Sequence, residues 1–575
     1  MEQLSGSDSY WLYTERGNVY NHVAALGIYD PSTAPGGRVR FKDLLRYFGG
    51  QVEQHRVFRR RLVAVPHGFD RPYWIEDPDL DLEFHVRHIA QPQPGDWRQL
   101  MIQVARLHSR PLDHSRPLWE IYVIEGLDRI PGLPPGSFAL FLKFHHAAVD
   151  GEAAAELLRA VHAPTADVDA SHHRHATLYA ERDPTTVELY SRAVAHGVGR
   201  AAGISSLYAK TLTRFVGITV DQVVRKLGVG GHDGHEPAPL PAFLRAPLTR
   251  FNRRVSANRV VEAVALPLDS LQRARAKLDG ATINDLFLGI VGGALRKYLL
   301  SKDELPSASL MALMPMSVRQ AGRASPGNQV GGVPVAVHSD IADPVARVRA
   351  VQHDAQTAKR STEALGRGFL QSLMDELPGI ATEKLARYYV YPQLNVTVSN
   401  IRGPEATLYV AGARLVHFYP VSIATDYVGL NHTGFSYNGV MWISAVACRN
   451  MVPDPGFYAV CLRESFDELM AAVDALPVPG AEPAESPARR PGKRASGAKH
   501  EATIPARRPA AKPPRAGTTG KAKPPPTAPE AARAASPGDG ASGPARRTKK
   551  ARTTSSEEAT EAPRPGSAGD RGRGA

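Results

Sequence analysis

Cysteine is nearly absent from this 575-residue chain, which has only Cys448 and Cys461. Two thiols make no disulfide framework, and their scarcity fits a reducing cytosol. Long apolar runs are missing too. The best, Leu286 to Leu295, is far too short to cross a bilayer, so any membrane contact is expected to be peripheral. The opening Met1-Glu2-Gln3-Leu4-Ser5-Gly6-Ser7-Asp8 is acidic and polar, without the apolar core of a signal peptide. There is no Gly-x-Ser-x-Gly elbow, no Walker loop and no Gly-x-Gly-x-x-Gly after a strand. A covalent serine or cysteine nucleophile is therefore unsupported, which favours direct transfer with an alcohol as the attacking group.

Charge is present but unevenly placed. The whole chain carries +13, yet residues 481–575 hold 20 Lys+Arg against 9 Asp+Glu, leaving residues 1–480 near neutrality. That last stretch is Ala, Pro, Gly, Ser, Thr, Lys and Arg without hydrophobic periodicity. Such a composition cannot bury enough apolar surface to offset chain entropy, so 479–575 reads as a disordered tail. It suits anionic surfaces or an acidic partner, and equally a solvated extension. It lacks interleaved aromatics, so no stacking platform for nucleic acid is visible and specific nucleic-acid binding is not expected.

The remaining length is too great for one ordinary core. It divides into residues 1–165, a helical connecting segment 166–245, and a second domain at 246–478. Residues 19–29 and 137–144 read as strands, the second a continuous apolar run after a Pro/Gly-rich loop. Asp183-Pro184 looks like the N-cap and N1 of a helix carrying Val187, Tyr190 and Val194 at helical spacing. The second domain alternates strands (257–267, 308–316, 330–338, 393–399, 413–420, 427–436, 440–447) with helices (269–277, 283–300, 342–360, 464–475). This is a mixed α/β pattern.

The chemistry concentrates in Phe144-His145-His146-Ala147-Ala148-Val149-Asp150-Gly151, between the strand 137–144 and a helix-favouring run from Glu152. Imidazole titrates near neutrality, so His146 suits a general base that takes a proton from an alcohol and returns one to a leaving group. Asp150 can fold back to orient a histidine or hold the loop through a cation, and Gly151 permits a tight turn into the helix. On chemistry alone the string also fits a metal fragment or a structural loop. No second ligand set with convincing spacing accompanies it, and His172, His173 and His175 read as solvated, so no metal is expected.

His145-His146-Ala147-Ala148-Val149-Asp150-Gly151 resembles the HHxxxDG signature of the CoA-dependent acyltransferase superfamily. The surroundings resemble, more narrowly, the bacterial wax ester synthase/diacylglycerol acyltransferase family. The segments that carry this are Leu4 to Asp8 through Asn21-His22-Val23, Phe58 to Leu62, Arg71 to Trp74, Pro111-Leu112-Asp113 and Arg116 to Glu120. In the second half they are Thr282 to Asp285, Pro315 to Arg319, Gly327-Asn328, Ser399-Asn400 and Gly429-Leu430-Asn431. The match runs in order to about residue 475 and leaves out the basic tail.

The resemblance implies two chloramphenicol-acetyltransferase-like domains around a central channel, with acyl-CoA as co-substrate, a lipid alcohol as acceptor and no further cofactor. It implies His146 as the base, His145 shaping the site, and Asp150 as structural support, paired with Arg319. Asn284 and Gly151 are the candidates for binding substrate or the oxyanion. Thr282-x-x-Asp285 is also a capping-box pattern, so Asp285 is expected to cap the helix 283–300. Pro117-Leu118-Trp119 is expected to pack near the channel, and Ser399-Asn400 to form a strand-end turn. Asn252-Arg253 and Ile401-Arg402-Gly403-Pro404 depart from the family pattern in loops assigned to the acceptor side. The expected activity is acyl transfer to diacylglycerol or a long-chain alcohol, in the cytoplasm at a membrane or lipid-droplet surface. A superfamily enzyme using a carrier-protein thioester, and a catalytically weak lipid-surface protein, are the rival readings.

Overall fold

Runs of β-branched, alanine and aromatic residues build two six-stranded sheets. A computed structural model describes residues 1–149, 151–167, 181–197, 246–317, 330–365 and 383–476. Asp150, Arg319, Gly327-Asn328 and the tail 479–575 lie outside the described residues. The strands are β1 (Glu2–Gln3), β2 (His22–Asp30), β3 (Arg60–Val63), β4 (Tyr73–Glu76), β5 (Val86–Ala90), β6 (Trp119–Glu125), β7 (Phe138–His145), β8 (Arg259–Pro267), β9 (Met311–Ser317), β10 (Val330–Ala336), β11 (Val396–Arg402), β12 (Tyr409–Val410), β13 (Ala413–Val421), β14 (Leu430–Tyr437) and β15 (Val440–Cys448). The helices are α1 (Gly6–Tyr13), α2 (Phe41–Gln54), α3 (Leu82–His85), α4 (Trp97–His108), α5 (Gly151–Val161), α6 (Leu268–Lys277), α7 (Ile283–Leu300), α8 (Pro344–Leu365) and α9 (Pro455–Asp474).

One sheet runs β12-β13-β2-β7-β6-β5, the other β10-β9-β11-β14-β15-β8, and a small third sheet is β1-β4-β3. Parallel pairs (β5 with β6, β11 with β9 and β14) mix with antiparallel ones, giving the mixed α/β class expected. The sheets do not follow one cut in the sequence. Residues 409–421, from within the 246–478 stretch, cross over, and β13 pairs with β2.

Side-chain alternation divides the strands between two cores. On β15, Met441, Ile443, Ala445 and Ala447 enter the core of the second sheet, packed under α7 and α9. Trp442 and Val446, on the opposite face, join the core of the first sheet. There Trp442 meets Tyr419 of β13, with ring centroids 5.0 Å apart. Trp97 of α4 reaches Glu262 of β8 with a 2.6 Å hydrogen bond, tying the two sheets together. The described residues fall in one compact unit, Met1–Ala484.

Three local expectations are corrected. The last helix starts at Pro455 rather than 464, with proline at its first turn, where the missing N–H costs nothing. The helix after Asp183-Pro184 starts at residue 186. Thr185 accepts the Glu188 N–H at 3.3 Å, while Asp183 is drawn to Arg61. Its Leu189 and Ala193 are buried beside Val65 and Tyr73, while Val187 and Val194 stay 77% and 70% exposed. Ser399 and Asn400 lie inside β11 opposite Thr433 and Gly434, so they are ladder residues and not a turn.

Candidate active site

The site is built where β7 ends. The strand is buried throughout, and alternation puts Lys143 and His145 on one face with Phe144 on the other. His145 still belongs to the sheet. It stands opposite His22 of β2, and its N–H donates to the Leu118 carbonyl at 3.0 Å. A turn over residues 146–148 follows, closed by the Ala148 N–H donating to the His145 carbonyl at 2.9 Å. The His146 N–H donates to the Asn21 carbonyl at 2.8 Å. Gly151 then opens α5.

His145 is fully buried, with a hydrogen bond on one ring nitrogen and a carboxylate close to the other. Nδ1 accepts the Ala147 N–H at 3.0 Å, and Nε2 lies 3.2 Å from Glu15 Oε1. The first contact requires a lone pair on Nδ1, so the proton sits on Nε2, pointed at Glu15. Burial lowers the His145 pKa, only partly countered by Glu15, so the ring is neutral. It therefore has no lone pair to offer a substrate.

Glu15 is a three-way acceptor. Besides His145, Oε1 takes the Asn21 N–H at 2.5 Å and Oε2 lies 3.1 Å from Nε2 of the half-exposed His114. Burial raises its pKa, but hydrogen bonds from His114 and His145, and the Asn21 amide, outweigh that and hold it at about 2. Glu15, His114 and His145 are close enough together to suggest a metal site. The donor chemistry does not fit one: a cation on His145 Nε2 would demand an imidazolate, because Nδ1 already accepts a hydrogen bond.

The His146 ring lies on the indole of Trp11, with centroids 3.9 Å apart and planes 18° from parallel. Around them Leu4, Trp74, Leu112, Leu118 and Ala147 form a small apolar cluster, with Trp11, Leu12 and Ala148 packed against it. Leu118 thus packs beside the motif turn, as expected for an apolar residue there. Trp119 is buried further back, stacked on His85 with its indole N–H on the Phe58 carbonyl.

Behind His145 runs a buried charged group. Lys143 Nζ donates to the Leu107 and Arg110 carbonyls and lies 3.2 Å from Glu120 Oε2. Arg87 approaches the other oxygen of Glu120 at 3.2 Å, and the Tyr122 hydroxyl donates to Glu120 at 3.0 Å. Burial lowers the Lys143 pKa, and Glu120 opposes that shift. Lys143 thereby pins the chain between α4 and β6, which carries His114 and Leu118. Beside it, burial pushes the His108 imidazole down to about 3, so that ring is neutral.

The other sequence candidates stand on other elements. Asn284 is half-buried near the start of α7, donating to Met314 Sδ at 2.8 Å. Thr282 and Asp285 form both halves of a capping box, with the Asp285 N–H on Thr282 Oγ1 at 3.2 Å and the Thr282 N–H on Asp285 Oδ2 at 2.9 Å. Asp285 is thus a helix cap. Arg402 is exposed and pairs with Glu405, and Arg253 is exposed while Asn252 is spent on the Leu394 and Tyr427 carbonyls. Reading the sequence assigned no chemistry to Trp11, Glu15, Asn21 or His114. The first three are within or beside the N-terminal segment that carried the resemblance. His114 directly follows Pro111-Leu112-Asp113. Nothing in local spacing links any of them to residue 145.

The wax ester synthase/diacylglycerol acyltransferase catalytic domain matches residues 4–287, and the C-terminal domain of the same family matches residues 326–470. A Mycobacterium tuberculosis (strain ATCC 25618 / H37Rv) protein, provisionally named a diacylglycerol O-acyltransferase, is 32% identical over 499 residues, covering 82% of this chain and 97% of its own. A Mycobacterium bovis protein with the same provisional name is 30% identical over 479 residues, covering 82% of this chain and 100% of its own. Among solved structures, the wax ester synthase/diacylglycerol acyltransferase of Marinobacter aquaeolei VT8 superposes with a TM-score of 0.56 at 25% identity, over 82% of this chain and 100% of that one.

Proposed function

The chain belongs to the wax ester synthase/diacylglycerol acyltransferase family, and we propose that it moves a fatty acyl group from acyl-CoA to a lipid alcohol, diacylglycerol or a long-chain alcohol. The observation that supports this reading is the full burial of His145, with Nδ1 taken by the Ala147 N–H and Nε2 turned to Glu15. With His145 committed to Ala147 and Glu15, the base of the pair is His146.

The steps follow from ordinary acyl-transfer chemistry. His146, neutral, takes the proton of the acceptor hydroxyl as its oxygen bonds to the thioester carbonyl carbon. The carbonyl electrons move to oxygen. They return as the carbon–sulfur bond breaks, and the imidazolium gives its proton to the departing CoA thiolate. The ester and free CoA leave, and His146 is neutral again. A positioned base of this kind contributes roughly a hundred- to ten-thousand-fold in rate. Asn284 is carried as the oxyanion donor: its present acceptor, a thioether sulfur, is weak and readily exchanged. Asp150 and Arg319 are carried as structural support of the motif loop.

Among the described residues no helix is long and apolar enough to cross a membrane. Phe69, Val187 and Val194 are nonetheless exposed by 65% or more, with Phe69 beside Tyr190 at 5.9 Å. These apolar side chains, and lipid substrates, support peripheral attachment to a membrane or lipid-droplet surface on its cytoplasmic side.

The test is CoA release from palmitoyl-CoA with diacylglycerol, hexadecanol or no acceptor, for the wild type and His146→Ala. Release is expected only with a lipid alcohol and to be lost in the variant. Full activity of His146→Ala would sink the mechanism, and turnover only with an acyl carrier protein as donor would overturn the acyl-CoA assignment.

A further inference from the structure

We infer that Glu15, outside the histidine motif, is the positioning residue on which both motif histidines are registered. The inference rests on the reading of His146 as the base.

One carboxylate makes three connections. It lies 3.2 Å from His145 Nε2, the nitrogen left to carry the proton by the Ala147 contact on Nδ1. It takes the Asn21 N–H, and the Asn21 carbonyl in turn accepts the His146 N–H. Its second oxygen faces His114, whose chain segment also supplies the Leu118 carbonyl that holds the His145 N–H. Asn21 closes the arrangement, because its side-chain amide donates to the Trp11 carbonyl at 2.6 Å and to Thr14 Oγ1 at 2.7 Å. Trp11 is the surface on which the His146 ring rests. The segment from Trp11 to Asn21 is therefore a clamp around the turn at 146–148, and Glu15 is its only carboxylate.

Charge is essential to this role. His145 Nε2–H and the Asn21 N–H both need an acceptor at Oε1, and His114 presents Nε2 to Oε2. A carboxylate accepts at both oxygens, whereas an amide has one acceptor and one donor. Glu15→Gln keeps the shape but satisfies only one side: with its oxygen kept at Asn21 and His145 it turns a donor toward His114, and with the amide reversed it turns that donor toward His145, which must then change tautomer or turn away. Either change releases the Ala147 N–H from Nδ1 and lets the turn carrying His146 shift. A displacement of about 1 Å in a reacting group can lower a rate by about a hundredfold. Glu15 touches neither substrate nor the reacting atoms in this scheme, so its effect passes through the base.

The experiment compares Glu15→Gln, Glu15→Asp and Glu15→Ala with His146→Ala on the full chain, using palmitoyl-CoA and diacylglycerol. Glu15→Gln is expected to lower kcat about ten- to hundredfold, with KM for palmitoyl-CoA within about twofold. Glu15→Asp recovers part of the loss, since the charge remains while its reach shortens. Nitrogen-15 spectra of labelled histidines are expected to report Nε2–H for His145 in the wild type. Thermal melts identify any variant whose loss merely tracks unfolding. Wild-type kcat in a folded Glu15→Gln or Glu15→Ala would overturn the inference, as would a loss confined to KM or an Nδ1–H tautomer of His145 in the wild type. If His146→Ala is dead while Glu15→Gln is fully active, only this inference fails. If His146→Ala is active, the underlying mechanism fails with it.

Discussion

The indole of Trp11 lies nearly parallel to the imidazole of His146, with the ring centroids 3.9 Å apart. Trp11 comes from α1, some 135 residues away in sequence, and its backbone carbonyl is held by Asn21. His146 is thereby held on one face by an aromatic surface and along its main chain by Asn21. Stacking of this kind is worth about 0.5–1.5 kcal/mol beyond area burial.

Removing that surface is expected to slow the enzyme more than it unfolds it. Trp11→Ala should lower kcat about three- to tenfold at saturating acyl-CoA, while Trp11→Phe keeps most of it. Steady-state kinetics beside a melting curve check this. Equal losses in the two variants would remove stacking as the cause.

Glu15 should also show in the pH dependence of stability. Its folded pKa of about 2 lies below the ordinary 4.5. Its contribution is therefore complete above about pH 4.5 and is lost as pH falls through 2. The depression corresponds to about 3 kcal/mol. Denaturant unfolding of the wild type and Glu15→Gln should differ most at pH 5–7 and converge toward pH 2. A difference independent of pH would contradict an ionised Glu15 in the fold.

The buried pair behind His145 gives an asymmetric expectation. In Lys143→Met, Glu120 keeps Arg87 and the Tyr122 hydroxyl. In Glu120→Gln, Lys143 keeps only carbonyl acceptors among its described contacts, Leu107 and Arg110. Leaving a buried charge uncompensated costs about 3–5 kcal/mol, so Glu120→Gln should be the more destabilising. Urea titrations of both variants decide it, and the reverse order would show that Glu120 is the residue left stranded.

The basic tail and the apolar patch separate in a vesicle assay. Ending the chain at residue 484 should leave kcat on a soluble short-chain alcohol unchanged, and weaken co-sedimentation with anionic vesicles at low salt but not at high salt. Phe69→Ser with Val187→Ser should weaken binding to neutral vesicles too, since apolar burial is not screened. Unchanged binding in all forms would remove both from membrane attachment.

The composition contrast at about residue 480, the buried strand leading into the histidine pair, and the helix opened by Thr282-Ile283-Asn284-Asp285 were all legible in the sequence. Each is a local matter: entropy against apolar content, side-chain period, and a cap satisfied within four residues. Between residues 30 and 137 the reading assigned no elements, although β3 to β6 and α2 to α4 lie there. β3, β4 and β5 are only four or five residues long, too short for a side-chain period to stand out, whereas α2 and α4 bury residues at plain helical spacing that the reading passed over.

The sequence by itself pointed to the histidine motif as the candidate site, because imidazole is suited to shuttle a proton near neutral pH, and the family resemblance implied His146 as the base. What surrounds the two histidines was decided only by the tertiary structure. The Ala147 amide takes Nδ1 of His145, and Glu15 lies 3.2 Å from its Nε2. Glu15 is 130 residues away in sequence, and no spacing rule joins a carboxylate in the turn after α1 to the end of β7. The β2–β7 ladder joins them, setting His22 opposite His145 and carrying the clamp of Trp11, Glu15 and Asn21 onto the turn.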